Sequence, residues 1–383
     1  MRFLKFLAAT LIVATPAFAE QGVSDDEIVI GSVNDLSGIF AAFGAPAVTA
    51  AQMHFDVVNG AGGIHGRTIR FVVEDSSYQM QKAMLGYNKL VNRDQLFAMF
   101  LSLGTPMNIA GFKLTTPNNI PNISPLSAAR QMVEEPIRLR FLGSSTYYDQ
   151  LRLAARYMVE HHEVTTVCTM YIPSDFGIEV QEALSDEAAA NAAVTYAAET
   201  AHKPDETDFA GSLQKLRSEG CEMVGLALGI RQTITVLGTA KKLGFDDIKF
   251  VGSSGSFHTL LAKVPGGLTE GLFAAAGWAD LAARADQPEP AAFIAAYTEA
   301  HGEFPGTGAL LGYSAATGLT RALEKAGRNL TVDTFLEAIE SLDYYDPILD
   351  NHVDYSADDH QGSDEVILSV VEGGQWKEIA RLQ

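Results

Sequence analysis

Residues 27–75 read EIVIGSVNDLSGIFAAFGAPAVTAAQMHFDVVNGAGGIHGRTIRFVVED. They begin with a β-rich run, EIVIGSV, and end with a second one, TIRFVVE. Between these runs, apolar residues such as Val48, Ala51 and Phe55 recur at three- and four-residue spacing, which is typical of a helix with one buried face. Asn59-Gly60 then follows as a C-terminal helix signal. A strand, a helix and a strand in this order indicate a parallel sheet covered by helices.

The same alternation continues along the chain and starts again after Phe141. Further β-rich runs separated by helical patterns are LFAMFL, VTTVCTMYI, EMVGLAL and IKFVG. Towards the C-terminus, three helical patterns follow one another with little strand between them. VILSVVEG and QWKEIARL then close the chain as a hairpin around Gly373-Gly374.

Two successive α/β units predict two doubly wound parallel-sheet lobes, and the length of 383 residues also favours two domains. Helices without strands must pack on a sheet that already exists. We therefore expect the chain to return to the first lobe for its late helices and to finish on the second, crossing between the lobes three times. The predicted lobe I comprises 27–143 and 276–345, and lobe II comprises 144–275 and 346–383.

Residues 1–19 have the pattern of a secretory signal peptide. Arg2 and Lys5 precede a short apolar run, and Ala17-Phe18-Ala19 offers the small residues of a cleavage site. The alternative is a membrane anchor, but the apolar stretch is shorter than the roughly 20 residues that span a bilayer. We expect cleavage, export to the periplasm and no membrane insertion of the mature chain.

The composition excludes several classes of protein. The chain has 27 Lys and Arg against 47 Asp and Glu, a net charge of -20, and is 47% apolar. Such a chain is too apolar to be disordered and too acidic to bind nucleic acid without a basic patch.

The chain has only two cysteines, Cys168 and Cys221, so a multi-cysteine metal cluster is excluded. In an exported protein these two form a disulfide or remain buried thiols, and the sequence leaves both possibilities open.

Enzyme motifs are missing from the sequence. It contains no GxxxxGK[ST] phosphate loop and no HExxH pair, and Gly252-Ser253-Ser254-Gly255 has the wrong spacing for a nucleophile elbow. NGAGGIHGR approximates a dinucleotide fingerprint, but it follows a helix and leads into a strand, the reverse of the required order. We expect no enzyme activity, no cofactor and no metal.

Small polar loops follow several predicted strands, at the edge where open α/β sheets bind ligands. They are Asp35 to Gly38, Leu101 to Thr105, Ser124 to Ala128 and Ser174 to Gly177. Taken singly, each loop is better explained as a helix N-cap. Their coincidence on corresponding edges of two lobes indicates a site for a carboxylate or another small polar head group.

The order of motifs resembles that of a known family. The matching pieces are I-x-I-G-S-x-x-x-L-S-G from Ile28, V-N-G-A-G-G-I-H-G-R from Val58, V-V-E-D-S from Val72, P-x-I-S-P-L-S-A from Pro121, T-D-F from Thr207 and E-G-L-F from Glu270. In these motifs the chain resembles the type I periplasmic solute-binding proteins of ABC importers, specifically the leucine/isoleucine/valine-binding group. The resemblance covers essentially the whole mature chain. It implies two lobes joined by three hinge strands that close on a ligand.

The resemblance also implies which residues bind the ligand. The head-group loops of the first lobe fall on Leu103, Gly104 and Thr105 and on Leu126, Ser127 and Ala128, and the aromatic residue of the second lobe falls on Phe176. Ser37, Tyr148 and Trp278 are further candidates for the wall of the cleft. Arg231 is a weaker candidate for pairing with a carboxylate, since an arginine at a helix start is more often a surface residue.

One position departs from the family pattern. Where amino-acid binders of the family place an acidic residue for the ligand's ammonium group, this chain has Ser254. A buried ammonium without a counter-charge is costly, so we expect an organic or aromatic carboxylate, or a neutral amide, in preference to an α-amino acid.

The expected function is that of a monomeric periplasmic protein that captures a small-molecule ligand by lobe closure. It would deliver this ligand to an ABC permease and its ATPase. A sensory or regulatory module of the same fold is the alternative.

Overall fold

The computed structural model describes residues 20–383, and the predicted signal peptide lies outside them. The helices and strands, in chain order, are β1 Glu27–Asn34, α1 Ala41–Gly60, β2 Thr68–Asp75, α2 Met80–Lys89, β3 Ala98–Phe100, α3 Thr105–Thr115, β4 Asn122–Ile123, β5 Arg140–Phe141, α4 Tyr147–His162, β6 Thr166–Tyr171, α5 Asp175–Ala190, β7 Thr195–Ala201, α6 Ala210–Ser218, β8 Met223–Ala227, α7 Ile230–Lys242, β9 Lys249–Gly252, α8 Thr259–Ala262, β10 Phe273–Ala276, α9 Pro288–His301, α10 Thr307–Ala326, α11 Val332–Ile339, β11 Asp343–Asp346, β12 Asn351–Asp354, β13 Val366–Glu372 and β14 Gln375–Leu382.

The first lobe is built on a parallel sheet with the strand order β2-β1-β3-β4-β5. On one face of this sheet, Phe55 of α1, Leu323 of α10 and Phe335 of α11 pack against Phe97 and Phe100. On the other face, α2 and α3 cover a second apolar cluster. Helices on both faces make the sheet doubly wound, as the alternation of the sequence predicts.

The second lobe has a sheet with the order β14-β13-β10-β9-β8-β6-β7. Strands β6 to β10 pair in parallel, and the C-terminal hairpin β13–β14 adds two antiparallel strands at one edge. Cys168 of β6 and Cys221, which precedes the neighbouring strand β8, form a disulfide. The structure thereby settles the alternative that the sequence leaves open.

The chain passes between the two sheets three times: after β5, after β10, and between β12 and β13. The first and third passages run side by side, since Leu142 N–H donates to His360 O at 3.0 Å and Gly362 N–H donates to Leu142 O at 2.7 Å. The predicted boundaries 143/144 and 275/276 fall beside the first two passages. The predicted boundary 345/346 lies within β11, and the chain rejoins the second sheet at Val366.

A small antiparallel hairpin, β11–β12, is not anticipated by the sequence analysis. Its strands read DYYD and NHVD, too short and too polar for a β-rich pattern to stand out. Two of its apolar side chains nevertheless matter. Tyr344 packs against the core of the first lobe, and Val353 is buried.

Helix α10 lies directly against α1. A Cβ atom at Gly312 would be 2.0 Å from Ala47 O, and one at Gly308 would be 2.4 Å from Phe43 O, so only glycine permits this approach. The backbone of α10 is therefore held in place from behind by α1. Within residues 20–383, no helix combines the length and apolarity needed to cross a bilayer.

Candidate ligand site between the lobes

A cavity runs from the cleft between the lobes into the interior of the first lobe. The space between its lining atoms, counted together with the solvent at its open mouth, is about 1170 Å³. We name its two parts by their lining. The cleft chamber is lined by Phe40, Phe43, Tyr78, Leu103, Gly104, Thr105, Leu126, Ser127, Ala128, Tyr147, Phe176, Ser254, Gly255 and Trp278. The inner arm is lined by Leu101, Ile123, Ser124, Leu142, Gly143, Leu311, Ser314, Ala315, Gly318, Leu319, Ile339, Leu342, Tyr344, Val353 and Tyr355.

Two loops of the first lobe run side by side along the cleft chamber, each directly after a strand. Leu103 of the first loop pairs with Leu126 of the second, and Gly104 N–H donates to Leu126 O at 3.3 Å. Their hydroxyls meet at the chamber, where Thr105 Oγ1 and Ser127 Oγ are hydrogen-bonded 2.8 Å apart. The two loops together therefore present polar groups at one point of an otherwise apolar wall.

Gly104 is required for the first loop. Its φ is +106°, a value that L side chains rarely adopt, and a Cβ atom there would lie 2.9 Å from Met107 Sδ and 3.1 Å from the Tyr78 ring. The absence of a side chain lets Tyr78 approach the backbone. The aromatic ring and the head-group loop thus form one continuous surface.

Two buried asparagines hold the first loop from behind. Asn108 Nδ2 donates to Ser102 O at 3.0 Å and to Gly104 O at 2.9 Å. Asn34 Nδ2 donates to Leu101 O at 2.7 Å. Side chains that satisfy the backbone in this way fix the position of the loop before any ligand arrives.

The second lobe contributes Phe176 and the turn at Ser254. The Phe176 ring lies edge to face with Phe40 at 6.0 Å and with Tyr147 at 5.0 Å between ring centroids. A Cβ atom at Gly255 would be 2.9 Å from Phe176 Cζ, so the ring packs directly on the backbone of this turn. Ser254 N–H donates to Gln150 Oε1 at 2.9 Å, which ties the turn to α4.

The lining of the cavity is electrically neutral. Among residues 20–383, no Asp, Glu, Lys, Arg or His side chain lines it. Its polar groups are backbone amides, the hydroxyls of Ser, Thr and Tyr, and Trp278 Nε1, which is buried without a hydrogen-bond partner in the described part of the chain. Burial raises the pKa of Tyr147 to about 12, so this phenol stays protonated at neutral pH.

Three helices begin at the cleft chamber. Thr105 and Tyr147 are the first residues of α3 and α4, and Phe176 is the second residue of α5. The N-terminal end of a helix carries a partial positive charge and unpaired N–H groups. These helix starts therefore bring backbone N–H donors to the chamber although no cationic side chain among the described residues lines it.

Most of the predicted site residues come together at this cavity. Those that line it are Leu103, Gly104, Thr105, Leu126, Ser127, Ala128, Phe176, Ser254 and Trp278. Their role in binding stays a prediction.

The structure places two predicted residues elsewhere. Ser37 is exposed and donates from Oγ to Asp75 Oδ2 at 2.7 Å, so it belongs to a surface turn. Tyr148 donates from its hydroxyl to Asp186 Oδ2 at 2.8 Å outside the cavity. Its neighbour Tyr147 lines the chamber instead, because adjacent residues of a helix point in different directions. Arg231 is exposed and also lies outside the lining.

Apart from Leu101 and Ser124, which lie in predicted loops, the sequence does not indicate the residues of the inner arm. Its main wall is a stripe on α10 formed by Leu311, Ser314, Ala315, Gly318 and Leu319. Such spacing is the ordinary signature of a helix packed on a core, and nothing in it distinguishes a wall that faces empty space. Phe40 and Tyr78 were missed because they follow predicted loops and belong to no recognised motif.

The lobes touch on both sides of the cavity. On one side, Arg130 of the first lobe pairs with Glu179 of α5, with Nε and Oε1 2.9 Å apart. On the other side, His258 Nε2 lies 3.1 Å from Ala42 O, and its Nδ1 accepts from Leu260 N–H. With Nδ1 an acceptor, Nε2 carries the proton and donates to Ala42 O. Burial lowers the pKa of His258 to about 4, which keeps the ring neutral. The structure is thus a closed form.

Comparisons with known proteins agree with this geometry. A sequence-family profile described as "Periplasmic binding protein" matches residues 27–375. A leucine-, isoleucine-, valine-, threonine- and alanine-binding protein of Pseudomonas aeruginosa is 23% identical over 318 residues, 82% of each chain.

Two solved structures are similar over nearly their whole length. A fatty acid ABC transporter substrate-binding protein from Thermomonospora curvata has a TM-score of 0.85 and 23% identity, and the match covers 95% of this chain and 94% of that one. A branched-chain amino acid ABC transporter from Thermus thermophilus with bound valine has a TM-score of 0.86 and 19% identity, covering 94% of this chain and 97% of that one. At these identities the likeness establishes the two-lobed fold.

Proposed function

The chain belongs to the periplasmic binding protein family, and on that basis we propose that it is the substrate-binding component of an ABC importer for an organic carboxylate. The lobes close on the solute and bury it in the cleft chamber. Its head group lies against the hydroxyls of Thr105 and Ser127, and the aromatic rings of Phe40, Tyr147 and Phe176 cover the remainder.

One observation carries the choice of ligand: three helix N-termini meet at a chamber whose lining has no charged side chain. Helix N-termini with free N–H groups favour an anion. A buried ammonium group would need a carboxylate partner, and the chamber offers none among the described residues. An α-amino acid is therefore disfavoured, whereas a carboxylate without an amino group fits.

The similar proteins are named for two types of ligand. The P. aeruginosa and T. thermophilus proteins are named for amino acids, and the T. curvata protein is named for a fatty acid. The neutral chamber supports the second type of ligand for this chain. Delivery to a membrane permease and its ATPase, a monomeric carrier and a periplasmic location follow from the proposed role. Residues 1–19 would supply the export signal.

A thermal-shift screen tests the proposal, because a ligand that binds only the folded state raises the apparent Tm. We expect organic carboxylates to raise the Tm of residues 20–383, and leucine and valine to leave it unchanged. The matched amides of the same acids separate anion recognition from shape, since they keep the shape and lose the charge. Stabilisation by leucine but by no simple carboxylate would overturn the proposal.

A further inference from the structure

We propose that the preferred ligand is a straight-chain aliphatic monocarboxylate whose hydrocarbon tail occupies the inner arm of the cavity. This inference rests on the proposed function for the position of the carboxylate, and it adds the class of tail and the residues that measure its length. A small head group bound at Thr105 and Ser127 would make no contact with the inner arm. A cavity continued into the core of a lobe is otherwise a loss of packing.

The inner arm has the shape and chemistry of a site for a chain. Its wall on α10 runs from Leu311 to Leu319, nine residues whose eight steps span about 12 Å of helix at 1.5 Å per residue. Opposite this wall stand Ile339, Leu342 and Val353. A space lined by aliphatic side chains suits an alkyl chain, and a compact side chain such as that of valine would contact only part of this lining.

Three of the hydroxyl groups in the inner arm have polar partners nearby. Ser314 donates from its hydroxyl to Asp346. The hydroxyls of Ser124 and Tyr355 interact with each other beside Gly143. Burial raises the pKa of Tyr355, so its phenol stays neutral. Within residues 20–383, the lining of the arm thus has no cationic side chain and no cluster of free hydroxyls, and the carboxyl group directly behind Ser314 is that of Asp346, which disfavours a dicarboxylate.

The length of the arm is set by small residues on α10. Ala315 and Gly318 face the cavity, and a Cβ atom at Gly318 would lie 2.9 Å from Tyr344 Oη. Larger side chains at these two positions would fill the arm. The arm exists because α10 presents small residues on this face while Gly308 and Gly312 hold its other face against α1.

The experiment is a calorimetric titration of residues 20–383 with butanoate, hexanoate, octanoate, decanoate and dodecanoate, each below its micelle concentration. We expect the affinity to rise about fourfold per methylene until the arm is full, and then to level off. The heat-capacity change of binding should become more negative along the same series, since apolar surface is being buried.

The variant Ala315→Leu tests the placement of the tail. It should lower the affinity for decanoate and dodecanoate at least tenfold, and it should leave the affinity for butanoate within twofold of the unchanged protein. Ala296→Leu makes the same substitution at an exposed position of α9 and serves as the matched control. The Tm of each unliganded variant confirms that it is folded.

The outcomes are distinct for the two proposals. Butanoate binding without any gain along the series, or an Ala315→Leu variant that loses all acids equally, would overturn the inference and leave the proposed function standing. Binding of no acid of any length would overturn the proposed function itself. The wild-type series decides the question even if Ala315→Leu does not fold.

Discussion

Arg130 and Glu179 join the two lobes through an ion pair at the edge of the cleft, with the carboxylate buried and the guanidinium half-buried. Arg130 Nε donates to Glu179 Oε1 at 2.9 Å, and the backbone N–H of Arg130 donates to Oε2 at 3.2 Å. The Glu179 side chain is only 1% exposed. The guanidinium also lies 3.8 Å from the centroid of the Tyr148 ring. Tyr148 therefore stands in this contact between the lobes and outside the ligand cavity.

Glu179→Gln should weaken ligand binding without touching the cavity. It leaves Arg130 with a neutral partner in a half-buried place, and breaking a buried pair costs up to about 3–5 kcal/mol. Because the pair joins the two lobes, the substitution destabilises the closed form. We therefore expect the Kd for an organic carboxylate to rise at least tenfold. Glu182→Gln is the matched control, since Glu182 also pairs with Arg130 but its side chain is 45% exposed. An equal effect of both variants would contradict this role for Glu179.

Phe176→Ala should lower the affinity by roughly thirtyfold or more, which corresponds to about 2 kcal/mol. The variant removes the ring that meets Phe40 and Tyr147 across the chamber. Intrinsic tryptophan fluorescence provides the titration signal, since Trp278, one of the two tryptophans of the chain, lines the same chamber. Ile178→Ala, at an exposed position of the same helix, should leave the Kd unchanged. An unchanged Kd in Phe176→Ala would show that the ligand lies elsewhere.

Replacing both cysteines by alanine should destabilise the protein while sparing binding. The disulfide closes a loop with a sequence separation of 53 residues, and loss of a native disulfide costs about 2–5 kcal/mol. Urea denaturation of the double variant measures this cost. Cys221 lies at the start of β8, and the cleft is at the opposite ends of the strands, so the Kd should not change. Reduction of the wild-type protein with dithiothreitol should reproduce the loss of stability.

Asp280→Asn should flatten the pH dependence of stability. Burial raises the pKa of Asp280 from 3.8 to about 6, although N–H groups of Ala282 and Ala283 and the charges of Lys263 and Arg284 oppose the rise. Because the folded-state pKa is above the unfolded value, this carboxyl contributes stability below pH 3.8 that is lost as the pH rises through 6, up to about 3 kcal/mol.

The difference between the wild-type protein and the variant isolates this group. The free energy of unfolding is measured for both proteins from pH 4 to 8. The value for Asp280→Asn minus the value for the wild-type protein should increase up to pH 6 and stay constant above it. His258, whose pKa is lowered, acts with the opposite sign in both proteins and cancels in the difference. A difference that does not vary with pH would refute the assignment.

The sequence predicts the helices and strands whose apolar residues recur at regular spacing along the chain. The β-rich runs of both sheets and the late helices are visible as periodic patterns, and the loops around Thr105 and Ser127 are marked by small polar residues after strands. Tyr147 was missed in favour of Tyr148 because the start of α4 could not be placed to within one residue, and one residue turns a side chain by about 100°. The inner arm is the space that the small residues Ala315 and Gly318 leave between α10 and the rest of the lobe. It depends on the packing of segments distant in sequence, so local sequence patterns do not predict it.

No side chain of residues 20–383 that lines the cavity changes its charge near neutral pH, and this affects how binding can depend on pH. The phenols of the chamber and the inner arm hold their protons well above physiological pH, as Tyr147 illustrates. Any dependence of affinity on pH that arises inside the cavity must then come from the acid–base equilibrium of the solute itself. Under the proposed function, the medium sets the protonation state of the solute, and we expect selection inside the cavity to depend on the shape of the solute and on hydrogen bonds from backbone N–H groups.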